Sequence, residues 1–196
     1  NTKEFSRDGL HFLEHGYYCT DPQGSAGHYE FWSERLRRCK EGYQIGDVKI
    51  TGHHYFYLNY VQIKLTNKSD RKILSFPNFW DGDYEFFWLQ DIARNGTTPE
   101  AYKKLNLNTF VDEDYMNGGR HMIVSKARRK GFSYKNAALV TNTFNTEQNS
   151  YTLLCAFDKK YLYPKGIMAM VTDNMNFINE HTGWGKRRQV VDKQNH

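Results

Sequence analysis

The chain has 196 residues, 39% hydrophobic and 16% aromatic, enough to bury one good core; this excludes a disordered chain and favours one domain, with room for a subsidiary lobe. Lys and Arg number 27 against 22 Asp and Glu, a modest basic excess that suits a surface meeting phosphates or nucleic acid but selects no partner. Cys19, Cys39 and Cys155 match neither a zinc pair nor a disulfide framework, no apolar run reaches the roughly 20 residues of a membrane span, and no signal-peptide pattern opens the chain. A soluble, intracellular protein with reduced thiols is therefore expected. The start without Met and the abrupt end at Lys193-Gln194-Asn195-His196 add the expectation of a piece of something longer.

In chain order, Tyr29, Trp32, Leu36 and Cys39 recur at helical spacing between Ala26 and Lys40, and Gly42 follows as a stop. Arg35, Arg37, Arg38 and Lys40 read as the solvated face of this amphipathic helix. The aromatic and β-branched run Tyr55 to Leu65, the turn Asn67-Lys68-Ser69-Asp70 and then Ile73, Leu74 and Phe76 predict a β-hairpin. His53 and His54 at its entry lack a third ligand at metal spacing and read as surface or packing residues. Tyr84, Phe87, Trp88 and Ile92 predict a helix over Tyr84 to Arg94, ended by Asn95-Gly96. Thr97 to Gly119 reads as a surface loop or lid, its acidic Asp112-Glu113-Asp114 a solvated turn rather than a cation site. His121 to Val124 predicts a strand, Ser133 to Phe144 a helix, Tyr151 to Phe157 a second strand and Gly166 to Asn179 a further helix, a rhythm that argues for a parallel sheet.

Between that first strand and helix lies Ser125-Lys126-Ala127-Arg128-Arg129-Lys130-Gly131-Phe132-Ser133-Tyr134. A loop at such a junction can aim backbone amides and the positive end of a helix at an anion, and a glycine lets the backbone approach it. Against the pattern G-x-x-x-x-G-K-[ST], Gly131 and the hydroxyl of Ser133 are present, while Lys126 stands at the first glycine and Phe132 at the lysine. The cationic charge that a triphosphate needs is still supplied by Lys126, Arg128, Arg129 and Lys130. The competing reading is a solvated basic turn, or a nucleic-acid patch beside a βαβ unit.

This displaced charge resembles the deviant Walker A loops of bacteriophage large terminases, in which the basic residue lies near the start of the loop. The segment Phe76-Pro77-Asn78-Phe79-Trp80-Asp81-Gly82-Asp83-Tyr84 is similar to the one that precedes the loop in that family. The resemblance spans Ile50 to Trp184. It implies an α/β P-loop NTPase fold of the additional-strand type with a mostly parallel sheet: residues 1–75 form an N-terminal helix and hairpin lobe, and residues 76–196 the front part of the ATPase domain. It assigns Lys126 as the phosphate-sensing base, Arg128 and Arg129 as supporting charge, Lys126 to Tyr134 as the nucleotide loop with the Gly131 to Ser133 amides as its cradle, and Ser133 as the Mg²⁺ hydroxyl. Tyr84, with Glu85 beside it, stands where family members contact adenine, although a glutamate cannot donate to a ring nitrogen.

The resemblance further implies ATP and Mg²⁺ as cofactors, and double-stranded DNA, the portal protein and the small terminase subunit as partners. It implies no membrane association, a ring-shaped homo-oligomer in the working motor, and the cytoplasm of an infected bacterium as the setting. No apolar run ending in Asp-Glu follows Phe157, since Ile167 to Asp173 reads as helix; the implied truncation before Walker B predicts weak or absent turnover of this piece. The basic Lys186-Arg187-Arg188 reads as a solvated helix flank. Two other classes remain open, a non-hydrolysing nucleic-acid-binding or assembly module and a helicase-type ATPase.

Overall fold

The computed structural model describes residues 2–66, 72–127 and 130–184. In chain order they form a 3-10 turn (Thr2–Ser6), α1 (Arg7–His15), α2 (Ala26–Glu41), β1 (Tyr43–Ile45), β2 (Val48–Ile50), α3 (Gly52–Tyr60), β3 (Ile63–Thr66), β4 (Lys72–Ser75), α4 (Asp81–Asn95), α5 (Pro99–Leu105), α6 (Glu113–Met116), α7 (Phe132–Thr146), a second 3-10 turn (Lys159–Tyr161) and α8 (Ile167–His181). The architecture is mixed α/β. Its strands make two antiparallel hairpins, β1 with β2 and β3 with β4. The turn residues 67–70 and the basic cluster 186–188 lie outside the described residues.

The centre of the molecule is α3, of whose nine residues all but His53 are buried. A strand was expected to begin at Tyr55; instead the Thr51 hydroxyl caps a helix, accepting from the His54 amide at 3.2 Å, and extended chain begins only at Ile63. An aromatic run buried on every side shows no period, so helix and strand look alike in it. Gly52 is required by contact: a Cβ there would lie 2.3 Å from the Cys39 carbonyl oxygen at the end of α2.

A helix without a solvated face must find protein partners for its polar groups. Asn59 donates to the Phe5 carbonyl at 2.8 Å and accepts from the Gly9 amide at 2.9 Å, fastening the N-terminal segment to α3. The Tyr18 hydroxyl donates to the Asn59 carbonyl at 2.6 Å, and the Tyr55 hydroxyl donates to Asp8, whose carboxylate also meets Arg35 at 3.4 Å. Arg35 in turn lies over the Phe31 ring, and Arg38 over Tyr43. Of the arginines expected on a solvated face, Arg37 is exposed and pairs with Glu34 and Glu41, while Arg35 and Arg38 are drawn inward.

Around α3 a single apolar core runs from Phe5 through Phe87 and Ala138 to Ile178, joining residues from both halves of the chain. Helices α7 and α8 pack on one another through Ala137, Val171 and Met175. Asn142 of α7 donates to the Cys39 carbonyl at 2.7 Å, so α2, α3 and α7 meet at one backbone group. Arg94 of α4 grips Glu147 beyond α7 with two bonds of 2.8 and 2.6 Å.

Thr97 to Gly119, expected to be irregular, contains α5 and α6. Thr98 caps α5 with Pro99 in its first turn, and Asp112 caps α6, accepting from the Tyr115 amide at 2.7 Å. That capping is the use found for the first residue of the acidic triplet.

The expected strands at 121–124 and 151–157 do not form, and no parallel ladder joins the described residues. Both segments are without regular secondary structure, and a strand needs a neighbour to accept its ladder of hydrogen bonds. Their apolar side chains stand in solvent, Ile123 at 96% exposure, Tyr151 at 86% and Leu153 at 70%, with Phe157 fully exposed.

His54 lies between Phe79 and Phe87, both ring centroids 5.1 Å away, and among the described residues neither of its nitrogens has a hydrogen-bond partner. Burial, helped by the charge of Lys135, lowers its pKa to about 3; burial, helped by Arg94, lowers that of His53 to about 4. The unfolded chain protonates these rings near 6.5, so between there and the folded values it binds more protons than the folded chain does. Stability therefore falls as pH drops through that window. We expect the thermal midpoint to decline from pH 7 to pH 4.5, and His54→Phe, which keeps the stack, to decline less. Equal declines in the two proteins would contradict this assignment.

Candidate nucleotide site

The sequence Lys130-Gly131-Phe132-Ser133 starts α7 abruptly. Gly131, at φ 66° and ψ 12°, holds the left-handed conformation that glycine adopts without strain, and it caps the helix with no side-chain hydrogen bond. Its carbonyl accepts the amides of Tyr134 at 3.0 Å and Lys135 at 3.2 Å. Among the described residues nothing accepts from the amides of Phe132 and Ser133. Two donors without a partner among the described residues, at the positive end of a 15-residue helix, are the elements of an anion site.

Lys126, Ala127, Lys130, Gly131 and Ser133 are all exposed. The chain folds Lys126 back towards the helix start, its Nζ 5.8 Å from the centroid of the Phe132 ring, within cation–π range. Arg128 and Arg129 lie outside the described residues. Phe132, at the position where a P-loop usually has lysine, is half-buried edge-on to Phe86 of α4 at 5.2 Å, which fastens the start of α7. The Tyr134 hydroxyl accepts the Lys64 amide of β3 at 3.4 Å.

The fixed charge beneath the loop is an ion pair that sequence reading missed. Lys135 of α7 bonds Asp83 in the first turn of α4, with side-chain exposures of 8% and 11%, and its Nζ lies 5.4 Å from the centroid of Phe86. Burial raises the Asp83 carboxyl, against the lowering effect of Lys135. The two residues are 52 positions apart, and each reads locally as a surface residue of a helix start.

Tyr84 packs with Phe79, His54 and Trp88, and its hydroxyl donates to the Leu105 carbonyl at 3.4 Å. Glu85 accepts from the amide and the hydroxyl of Thr109 at 2.6 and 2.7 Å, which lowers its pKa. Its carboxylate thus ties α4 to the segment behind α5. Two clefts, of about 690 and 730 Å³, lie along α8 and near the end of α7, and neither is lined by Gly131 or Ser133.

Among the described residues no group of three or more His, Cys, Asp and Glu could hold a metal ion, and no helix is long and apolar enough to cross a membrane. Comparisons with family models, with curated proteins and with solved structures give no match to this chain.

Removing one partner of a buried ion pair leaves the other charge without compensation. Lys135→Ala should cost about 3–5 kcal/mol, a fall in thermal midpoint on the order of 10 °C for a chain of this size. Ser133→Ala, at an exposed position, should leave the midpoint within about 1 °C of the parent protein. Similar midpoints for Lys135→Ala and the parent would show that the pair does not hold α4 to α7.

Proposed function

We propose that the chain is the ATP-binding part of a viral DNA-packaging motor of the large terminase type, which couples ATP hydrolysis to translocation of double-stranded DNA into a procapsid. The observation that carries this reading is the left-handed Gly131 at the start of α7, with the Phe132 and Ser133 amides without a partner among the described residues and Lys126 within cation–π range of the Phe132 ring.

In this reading the amides at the start of α7 bind phosphate oxygens, and Lys126 supplies charge to the terminal ones, supported by Arg128 and Arg129. The exposed Ser133 hydroxyl, in the first turn of α7, is placed to hold Mg²⁺, which when bound would screen the phosphate charges. Tyr84 is assigned to the adenine side. Segments 121–127 and 151–157 flank α7 in sequence and expose Ile123, Leu153 and Phe157. In an additional-strand P-loop fold these segments would be the two parallel strands on either side of α7 in sequence. The portal protein, the small terminase subunit and the cytoplasm of an infected bacterium follow from the same reading.

A second reading, a module that grips a nucleic-acid backbone, is favoured by the outward exposure of Lys126 and Lys130. It predicts affinity for DNA that falls steeply with salt and no preference for triphosphates.

The two readings separate in a titration with a fluorescent ATP analogue. Lys126→Ala should weaken binding by about tenfold or more, the scale of one hydrogen bond to a charged group, and Lys130→Ala by less than about twofold. Equal, small effects of both substitutions would return the loop to the status of a solvated turn.

A further inference from the structure

Far from the Gly131 loop in sequence, two histidines meet on the last turns of α1. His11 and His15 are four residues apart, and side chains at that spacing on a helix stand one above the other on the same face. Their ring centroids lie 4.4 Å apart, and the ring of Tyr17 packs against both, 5.6 Å from His11 and 5.8 Å from His15. His11 is half-buried and His15 exposed, so solvent reaches both.

The backbone that carries the pair is fixed. Gly9 donates to Asn59 at 2.9 Å and lies so close to α3 that a Cβ on it would stand 3.0 Å from the Leu58 carbonyl oxygen. Phe12 stacks on Tyr18 at 4.7 Å and meets Phe177 edge-on at 5.1 Å, and the left-handed Gly16 closes the helix with its amide on the Phe12 carbonyl at 2.8 Å. The rings themselves are uncommitted. Among the described residues neither makes a hydrogen bond, and His15 Nε2 stands 3.7 Å from the exposed Glu14 carboxylate.

Neutral imidazole is the commonest metal ligand among side chains, and rings without hydrogen bonds keep their lone pairs free. With metal–nitrogen bonds of about 2.0 Å, an ion stands roughly 3.2 Å from each ring centroid; two rings bound at a right angle then lie roughly 4.5 Å apart, and two bound at the tetrahedral angle roughly 5.2 Å. The observed 4.4 Å matches the right angle. Right-angled nitrogen sites suit Ni²⁺ and Cu²⁺, whereas Zn²⁺ takes the tetrahedral arrangement.

We propose that His11 and His15 form a surface site for a divalent transition-metal ion of right-angled preference, Ni²⁺ or Cu²⁺, held by two imidazoles with its other positions open to water or to an outside oxygen donor. Two protein ligands are fewer than the four that close a structural site, so the ion is exchangeable and the fold does not depend on it. The site uses no residue of the Gly131 loop and stands independently of the nucleotide reading.

The test is a calorimetric titration of the whole chain with Ni²⁺ and, separately, with Zn²⁺, in a background of Cys19→Ser and Cys155→Ser that removes the two thiols that are not buried. Ni²⁺ should bind more tightly than Zn²⁺. His11→Gln and His15→Gln should each weaken Ni²⁺ binding by about tenfold or more, since losing a ligand costs no less than losing a group that orients one, and the metal-free thermal midpoints should stay with that of the parent. A parent that does not bind Ni²⁺, or an unchanged affinity in either variant, would overturn the proposal, and Zn²⁺ held as tightly as Ni²⁺ would overturn the right-angled geometry on which it rests. As a check free of the histidine substitutions, substoichiometric Cu²⁺ should broaden the imidazole resonances of His11 and His15 before those of His121 and His181; the reverse order would also overturn it.

Discussion

The structure depends on one constraint, that α3 has no side facing water. A helix in that position cannot satisfy its side chains with solvent, so several of its polar groups commit other elements, while His54 and the Tyr60 hydroxyl have no hydrogen-bond partner among the described residues. Asn59 fixes the N-terminal segment, Tyr55 fixes Asp8 and through it Arg35 of α2, and Gly52 allows the end of α2 to press against the start of α3. What would be a desolvation penalty in an isolated helix becomes the set of instructions that arranges its neighbours.

The same constraint places the candidate site. Helix α7 packs on α3 through the core and is tied by Asn142 to the Cys39 carbonyl, while its first turn is held to α4 by the Lys135–Asp83 pair and the Phe132–Phe86 contact. The start of α7 is thus held to α4 by two contacts, and its first two amides have no partner among the described residues. Rigid support around an unsatisfied backbone is what distinguishes a binding loop from a turn that has simply run out of helix. The proposal of an anion there rests on the conformation of Gly131 and on the resemblance of the loop to a deviant Walker A motif.

Much of this was legible in the sequence where the signals are local. The helices α2, α4, α7 and α8 were readable from 3.6-residue spacing with Gly42 and Gly96 as stops, and the β3–β4 hairpin from alternation around its turn. Helix α3 was misread because complete burial erases the period that separates helix from strand. Thr98-Pro99 and Asp112 are capping signals that were present but were taken for loop composition. The strands at 121–124 and 151–157 were inferred from apolar runs alone, and such a run becomes a strand only when another strand lies beside it. At the site, Gly131 and Ser133 were readable because the loop is contiguous. The Asp83–Lys135 pair was not, since its significance arises only when segments 52 residues apart are brought together.

The central claim, that the start of α7 is an anion site for a triphosphate, is tested most directly by backbone hydrogen exchange with and without a non-hydrolysable ATP analogue and Mg²⁺. The amides of Phe132 and Ser133 exchange freely in the absence of ligand if they are unclaimed, and the analogue should slow them while leaving α5 and α6 unchanged. Exchange at those two amides that is already slow without ligand, or that is unaltered at saturating analogue, would contradict the account.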